Sequence, residues 1–166
     1  MKIVKIVFVV LAAVLVLGQF YRTEKNTSTV ANENSIARQF AVTPDVDEIL
    51  RTSCYDCHSD NTVYPWYANI QPVAWWLGGH IANGKRRLNF DQFATYNAAR
   101  QFQKLEEIKD QVNEGEMPLS SYTLIHRYAI LSGDQKSQLY QWVDAMRDTM
   151  KMHYPADSLK QPARRP

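Results

Sequence analysis

The stretch that most restricts the fold of this 166-residue chain is Cys54-Tyr55-Asp56-Cys57-His58. Two cysteines three positions apart, with a histidine directly after the second, have the spacing of a c-type haem attachment site. Each thiol can form a thioether with one vinyl group on one edge of a porphyrin, and the imidazole can then reach the iron from below. The motif therefore predicts one covalent haem c, attached through Cys54 and Cys57, with His58 as an iron ligand.

Two other kinds of site also use cysteines at this spacing. A disulfide or a thioredoxin-like redox pair needs no His58, and a redox pair normally opens a helix within alternating strands and helices, a pattern that is not evident here. A structural zinc site needs four ligands. The chain has no third cysteine, and its other histidines, none of them in a paired spacing, are His80, His126 and His153. Haem attachment is the interpretation that uses all three side chains.

The residues before the motif predict a helix that leads into it. Thr43 is a hydroxyl cap, and Pro44 suits the first helical position, where its missing donor costs nothing. Apolar residues then recur at helical spacing through both cysteines, and they are Val46, Ile49, Leu50, Cys54 and Cys57. If this helix continues through the motif, Cys54, Cys57 and His58 share one face.

Three aromatic residues after the motif are candidates for the walls of a haem pocket. They are Tyr64, Trp66 and Trp76. A large planar cofactor needs apolar walls, and aromatic rings supply much apolar area. Such rings are more often part of an ordinary core, so their contribution to cofactor binding depends on where the fold places them.

The sequence offers two candidates for a second, distal iron ligand. His80 lies in the apolar stripe of a helix that we expect Pro72 to open and Gly84 to end, where a histidine is either a hydrogen-bonded core residue or a ligand. Met117 precedes Pro118, which disfavours a helical conformation and places the methionine on a loop. A thioether on a loop can reach a haem iron. We favour Met117 and retain His80 as the alternative.

The first 22 residues predict a membrane anchor or an export signal. Lys2 and Lys5 precede an uncharged apolar run from Ile6 to Gly18, which is the pattern of a signal peptide or of a transmembrane helix. Counted over residues 3–21, the run approaches the roughly 17 to 25 residues that span a bilayer. No Ala-x-Ala cleavage site follows it. We therefore predict a single-pass helix over residues 1–22 that holds the domain on the periplasmic face of the cytoplasmic membrane.

The rest of the chain divides into three parts. Residues 23–39 are rich in Asn, Ser and Thr and predict a flexible polar linker. Residues 40–153 predict one all-α domain, whose last helix opens with the capping-box spacing of Ser132 and Gln135. Residues 154–166 contain two prolines and predict a disordered tail.

The charge of the chain excludes one class of partner. The net charge is +2, and the basic residues are scattered except at Lys85-Arg86-Arg87 and Arg164-Arg165. A nucleic-acid-binding surface needs a broader basic patch, so no nucleic acid is expected as a partner. The cluster at residues 85–87 is a solvated loop, a partner for haem propionates, or a surface that attracts an acidic protein.

Several motifs together resemble the haem-binding domain family of membrane-anchored bacterial proteins and, more broadly, small monohaem class I c-type cytochromes. They are Cys-Tyr-Asp-Cys-His-Ser, Tyr-Pro-Trp-Tyr, His80-Ile81 with Gly84, Leu88-Asn89-Phe90, and Met117-Pro118 with Tyr122 and His126. The resemblance covers residues 42–143 and implies a cytochrome c-like helical domain around one haem c, with His58 as proximal ligand. The chain departs from the family at Phe93, where a tryptophan is expected. A second departure is Gly79, where a second histidine often stands, so His80 is left alone.

These observations predict a monohaem cytochrome that carries single electrons to or from a redox partner that the sequence does not identify. An alternative is a haem-based peroxidase or a gas or redox sensor, in which the distal ligand is weakly held and His80 or His126 donates a proton near a bound oxygen. A third possibility is an interaction module in which haem is chiefly structural. The three classes differ in whether the iron is open to small molecules.

Overall fold

The structure is a computed structural model that describes residues 1–28 and 32–160. Within these residues it consists of helices, turns and loops without a strand, which confirms the all-α prediction. The α-helices are α1 (Lys2–Gly18), α2 (Ile36–Gln39), α3 (Pro44–Ser53), α4 (Tyr55–His58), α5 (Val73–Arg87), α6 (Ala98–Asn113), α7 (Ser120–Thr123) and α8 (Gly133–His153). Short 3₁₀ turns lie at Trp66–Asn69, Phe90–Thr95, Arg127–Ala129 and Ala156–Leu159.

The hydrophobic core lies where α8 packs against both α3 and α6. Each helix has one apolar face, and removing that face from water is the main stabilising term. The side chains that these helices contribute to the core are Val46, Ile49 and Leu50 from α3, Leu105, Ile108 and Val112 from α6, and Leu139, Trp142, Val143 and Met150 from α8. The packing holds the end of α3, and hence the cysteine motif, beside α6.

Two helix starts follow the local rules that the sequence indicated. The Thr43 hydroxyl accepts a hydrogen bond from the Val46 amide at 3.4 Å. At α8, the Ser132 hydroxyl accepts from the Gln135 amide at 3.2 Å, and the Gln135 side chain accepts from the Ser132 amide at 2.9 Å. Both caps satisfy amides that have no partner inside the helix. The predicted capping box is confirmed.

The N-terminal helix differs from its prediction. α1 has 17 residues, none of them buried, and ends at Gly18. Among residues 1–28 and 32–160, none of the helices combines the length and the apolar character needed to cross a bilayer. The predicted transmembrane helix over residues 1–22 therefore has no support. After α1 the chain turns onto the domain. There the Gln19 side chain accepts from the Gln71 amide at 2.9 Å, and the Tyr21 ring meets Trp75 edge-on.

The segment predicted as a flexible linker makes specific contacts with the domain. The Asn26 side-chain amide donates to the Ser59 carbonyl and to the Thr62 hydroxyl, both at 2.9 Å. Further along, Ile36 and Phe40 are buried in the core. Asn26 therefore joins the start of this segment to the loop after the motif, and Ile36 joins its later part to the core. Residues 29–31 of that segment lie outside the described residues.

The segment predicted as a disordered tail is partly folded. Leu159 is buried against the core, on a 3₁₀ turn that packs on α6. Pro155 ends the helical region, as proline should, but a turn can follow it and return one apolar side chain to the core. Residues 161–166 of the predicted tail lie outside the described residues.

Candidate functional site

Two adjoining cavities meet at the cysteine motif. The first has a volume of about 150 Å³ and the second of about 530 Å³. The residues that line both are Ser53, Cys54, His58, Arg87, Met117 and Pro118. The fold therefore brings the motif, the methionine loop and the last turn of α5 around one site. Cys57 and His80 line the first cavity only.

The helix that leads into the motif breaks at its first cysteine. Cys54 has φ −129° and ψ −44°, so α3 ends at Ser53 and the separate turn α4 carries the rest of the motif. The helix therefore does not continue through the motif, which was the condition for the three side chains to share one helical face. The His58 amide still donates to the Cys54 carbonyl at 3.0 Å. This single turn keeps both thiols and the imidazole on the wall of the first cavity.

The surroundings of the two thiols disfavour the alternatives to haem attachment. Burial raises the pKa of Cys54 to about 12 and the pKa of Cys57 to about 11. A redox pair needs a thiol with a lowered pKa, because the thiolate is the reactive form. Within residues 1–28 and 32–160, no group of three or more histidine, cysteine or acidic side chains is arranged to hold a bare metal ion.

The His58 imidazole is oriented by a backbone carbonyl. Its Nδ1 lies 2.9 Å from the Leu88 oxygen. Because a carbonyl only accepts hydrogen bonds, Nδ1 carries the proton and Nε2 keeps its lone pair. Burial lowers the pKa of His58, which keeps the ring neutral. A neutral imidazole whose other nitrogen is held by a carbonyl is the usual form of a histidine metal ligand.

The two candidate distal ligands occupy different positions. The loop that carries Met117 follows the end of α6, where Gly115 has a φ of 76°, and the Met117 amide donates to the Gln111 carbonyl at 3.0 Å. Met117 lines both cavities together with His58, whereas His80 lines only the first. The His80 Nδ1 is 2.9 Å from the Trp76 oxygen.

Helices α5 and α4 pack closely against each other at the motif. α5 continues past Gly84 to Arg87, so the predicted end of this helix at Gly84 is wrong. A Cβ atom at Gly84 would lie 2.5 Å from the Cys57 carbonyl oxygen and 3.3 Å from the Cys57 Cβ. Only glycine lets α5 approach α4 this closely. A glycine inside an otherwise helical pattern was the sequence signal for this contact.

The aromatic residues predicted as pocket walls lie elsewhere. Trp66 is 76% exposed and Trp76 is 50% exposed, and neither they nor Tyr64 line either cavity. Tyr64 instead accepts a hydrogen bond from the Asn26 amide at 2.8 Å. The apolar side chains that line the second cavity are Leu88, Phe90, Ile108, Val112 and Leu131. Ile108 and Val112 recur at helical spacing, which indicates a core face but does not distinguish a cavity wall from a packed interior.

Two polar residues of the first cavity were also missed. Asp56 lies between the two cysteines in sequence, and its carboxylate accepts from the Tyr122 hydroxyl at 2.7 Å and from the Val63 amide at 3.0 Å. Burial, together with the neighbouring Asp56 carboxylate, raises the pKa of Tyr122. His126, a predicted proton donor, does not line either cavity.

The three basic side chains of residues 85–87 have different surroundings. Lys85 forms an ion pair with Asp60 at 2.8 Å, and Arg86 donates to the Asn83 side chain at 2.7 Å. Arg87 lines both cavities, and no hydrogen bond or ion pair joins its side chain to another described residue. An arginine so placed suits a carboxylate of a group bound between the cavities.

The donor chemistry of the site fits a haem. Two thiols, a neutral imidazole and a thioether line the two cavities, together with apolar side chains, the Arg87 guanidinium and a few other polar groups. Comparison with known proteins agrees with this description. The model of a family described as the haem-binding domain matches residues 13–145, which is most of the chain. No curated protein and no solved structure matches the chain.

Proposed function

The chain belongs to the haem-binding domain family, and on this premise we propose that it is a monohaem c-type cytochrome that carries single electrons. One observation carries the proposal. His58, with Nδ1 held by the Leu88 carbonyl, stands beside two half-buried cysteines on the wall of an apolar cavity. This arrangement provides a covalent anchor and an oriented iron ligand within five consecutive residues.

Each residue has a distinct part in this proposal. Cys54 and Cys57 would hold the porphyrin edge, and His58, the proposed proximal ligand, would bind the iron through Nε2. Arg87 would pair with a carboxylate of the haem. The haem iron, when bound, supplies the one-electron couple. The chain itself orients the His58 imidazole through the Leu88 carbonyl and holds it neutral.

We propose Met117 as the distal ligand, because Met117 lines both cavities together with His58. We expect the oxidised protein to show the near-infrared charge-transfer band of iron bound to methionine sulfur, and Met117→Ala to lose it. The potential should also fall, since a thioether stabilises ferrous iron. Absorption spectra and redox titration measure both changes.

Met152→Ala is the matched control, because Met152 lies on α8 with 77% of its surface exposed. This variant should keep the band and the potential. A wild-type protein without the band, together with normal spectra after Met117→Ala, would reassign the distal position to His80. A His80→Ala variant then decides between the two residues.

Carbon monoxide binding distinguishes an electron carrier from a peroxidase or a gas sensor. An electron carrier with two protein ligands should be low-spin in both oxidation states and should not bind carbon monoxide. A peroxidase or gas sensor has an open position and should bind carbon monoxide rapidly. Protein made with haem-attachment machinery is the correct material, because the proposal requires two thioethers between the chain and the haem. Its pyridine hemochrome spectrum should be that of a haem with two thioethers.

A further inference from the structure

Three tyrosines meet at one histidine outside the haem cavity. The Tyr67 hydroxyl is 2.6 Å from Nε2 of His126, and the Tyr128 hydroxyl is 2.7 Å from Nδ1. The Tyr122 ring stacks on the imidazole at 4.3 Å, with 16° between the planes. Both ring nitrogens of His126 are therefore engaged by phenols.

The hydrogen bonds of this cluster allow a proton to move without rearrangement. A neutral imidazole has one donor and one acceptor nitrogen, so one phenol donates to His126 and the other accepts from it. When Tyr67 donates to Nε2, the Nδ1 proton is donated to Tyr128. If the Tyr67 proton moves onto Nε2, both nitrogens carry protons and each still bonds to the same oxygen. No side chain has to turn.

The cluster lies between the protein surface and the cavity. The Trp66 ring, which is 76% exposed, meets the Tyr67 ring edge-on at 5.9 Å. At the other end, Tyr122 lines the first cavity. Aromatic rings thus follow one another from solvent to the cavity, in the order Trp66, Tyr67, His126 and Tyr122. Tyr128 contacts His126 but lies outside this row of rings, and its side chain is 65% exposed.

We propose that Tyr67 is a redox-active tyrosine that gives one electron to a high-potential, metal-centred oxidant arriving at the Trp66 surface, while His126 takes its proton. The O–H bond of Tyr67 breaks, the proton forms a new bond to Nε2 of His126, and the oxidant is reduced by one electron. The products are a neutral tyrosyl radical and an imidazolium. Return of one electron and the same proton restores the phenol.

Two features favour Tyr67 over the other phenols of the cluster. Its bond to His126 is the shortest, and it is the one that touches an exposed ring on the route inward. Tyr122 donates to Asp56 and contacts His126 only by stacking, so the imidazole cannot receive its proton directly. Tyr128 lies off the row of rings.

The test is flash oxidation of the full-length ferric holoprotein with photogenerated tris(bipyridine)ruthenium(III), a one-electron oxidant. Electron paramagnetic resonance should detect a tyrosyl radical that Tyr67→Phe loses. His126→Gln should slow tyrosine oxidation by about a hundredfold, because a positioned base contributes this much to proton transfer. Oxidation of the wild-type protein should be slower in heavy water, a measurement that needs no variant to fold.

Tyr140→Phe is the matched control, since the buried Tyr140 hydroxyl has no hydrogen-bond partner among the described residues to take its proton. This variant should keep the radical. A radical that survives Tyr67→Phe, or that Tyr128→Phe alone removes, would overturn the proposal, as would equal rates in light and heavy water. Haem content is measured separately, so a failure of the relay is distinguished from a failure of haem attachment.

Discussion

Replacing both Cys54 and Cys57 with alanine is expected to abolish covalent haem attachment. Thioethers are the covalent links in this proposal, and no further cysteine is present to replace them. The mass of the denatured double variant should equal that of the bare polypeptide, whereas the wild-type protein should be heavier by one haem. Each single variant should keep one thioether, and the pyridine hemochrome spectrum should shift accordingly.

Ser53→Ala is a control for this experiment, because Ser53 lines the same two cavities. Its hydroxyl donates to the Ala129 carbonyl at 3.1 Å, so the variant should lose about 1 kcal/mol of stability and keep its haem. A wild-type protein that is colourless and has the mass of the polypeptide alone would refute the proposed function. So would a double variant that still carries covalent haem.

Gly84→Ala is expected to destabilise the folded protein by about 3 kcal/mol, at the upper end of the cost of overpacking. The new methyl group would lie 2.5 Å from the Cys57 carbonyl oxygen and 3.2 Å from the carbonyl carbon. These are backbone atoms, so relief requires α5 to move away from α4. That movement also shifts the Leu88 carbonyl from His58, and we expect haem incorporation to fall with stability.

Gly79→Ala provides the contrast within the same helix. A Cβ atom at Gly79 would meet nothing within 4 Å. Alanine is favoured over glycine in a helix by up to about 1 kcal/mol, so this variant should be as stable as the wild type or slightly more so. Urea unfolding followed by circular dichroism measures both variants. Equal stabilities for the two would show that α5 does not pack against α4 as described.

Local signals predicted much of the helical framework. The cap at Thr43 and the capping box at Ser132 gave the starts of α3 and α8, and the loop position of Met117 followed from Pro118. These features depend on residues within one helical turn of each other. Their hydrogen bonds form wherever the segment is placed, so sequence alone is sufficient to predict them.

The errors in the site have a common cause. Trp66 and Trp76 were predicted as pocket walls from their chemistry, but the direction of each side chain depends on how the 3₁₀ turn at Trp66–Asn69 and helix α5 pack on the domain. Gly84 was predicted to end a helix, because a glycine stop and a glycine at a close helix contact look alike in sequence. The local sequence pattern shows neither the direction in which a tryptophan side chain points nor which of these two uses a glycine has.

The sequence by itself determined which groups the motif offers for the proposed attachment, because the two thiols and the imidazole lie within five consecutive residues. Only the tertiary structure decided which distant groups complete the site. The Leu88 carbonyl orients His58, Gly84 admits the Cys57 backbone, and Met117 reaches both cavities. Each of these contacts joins segments far apart in the chain, and the packing of α3, α6 and α8 around a shared apolar core brings them together.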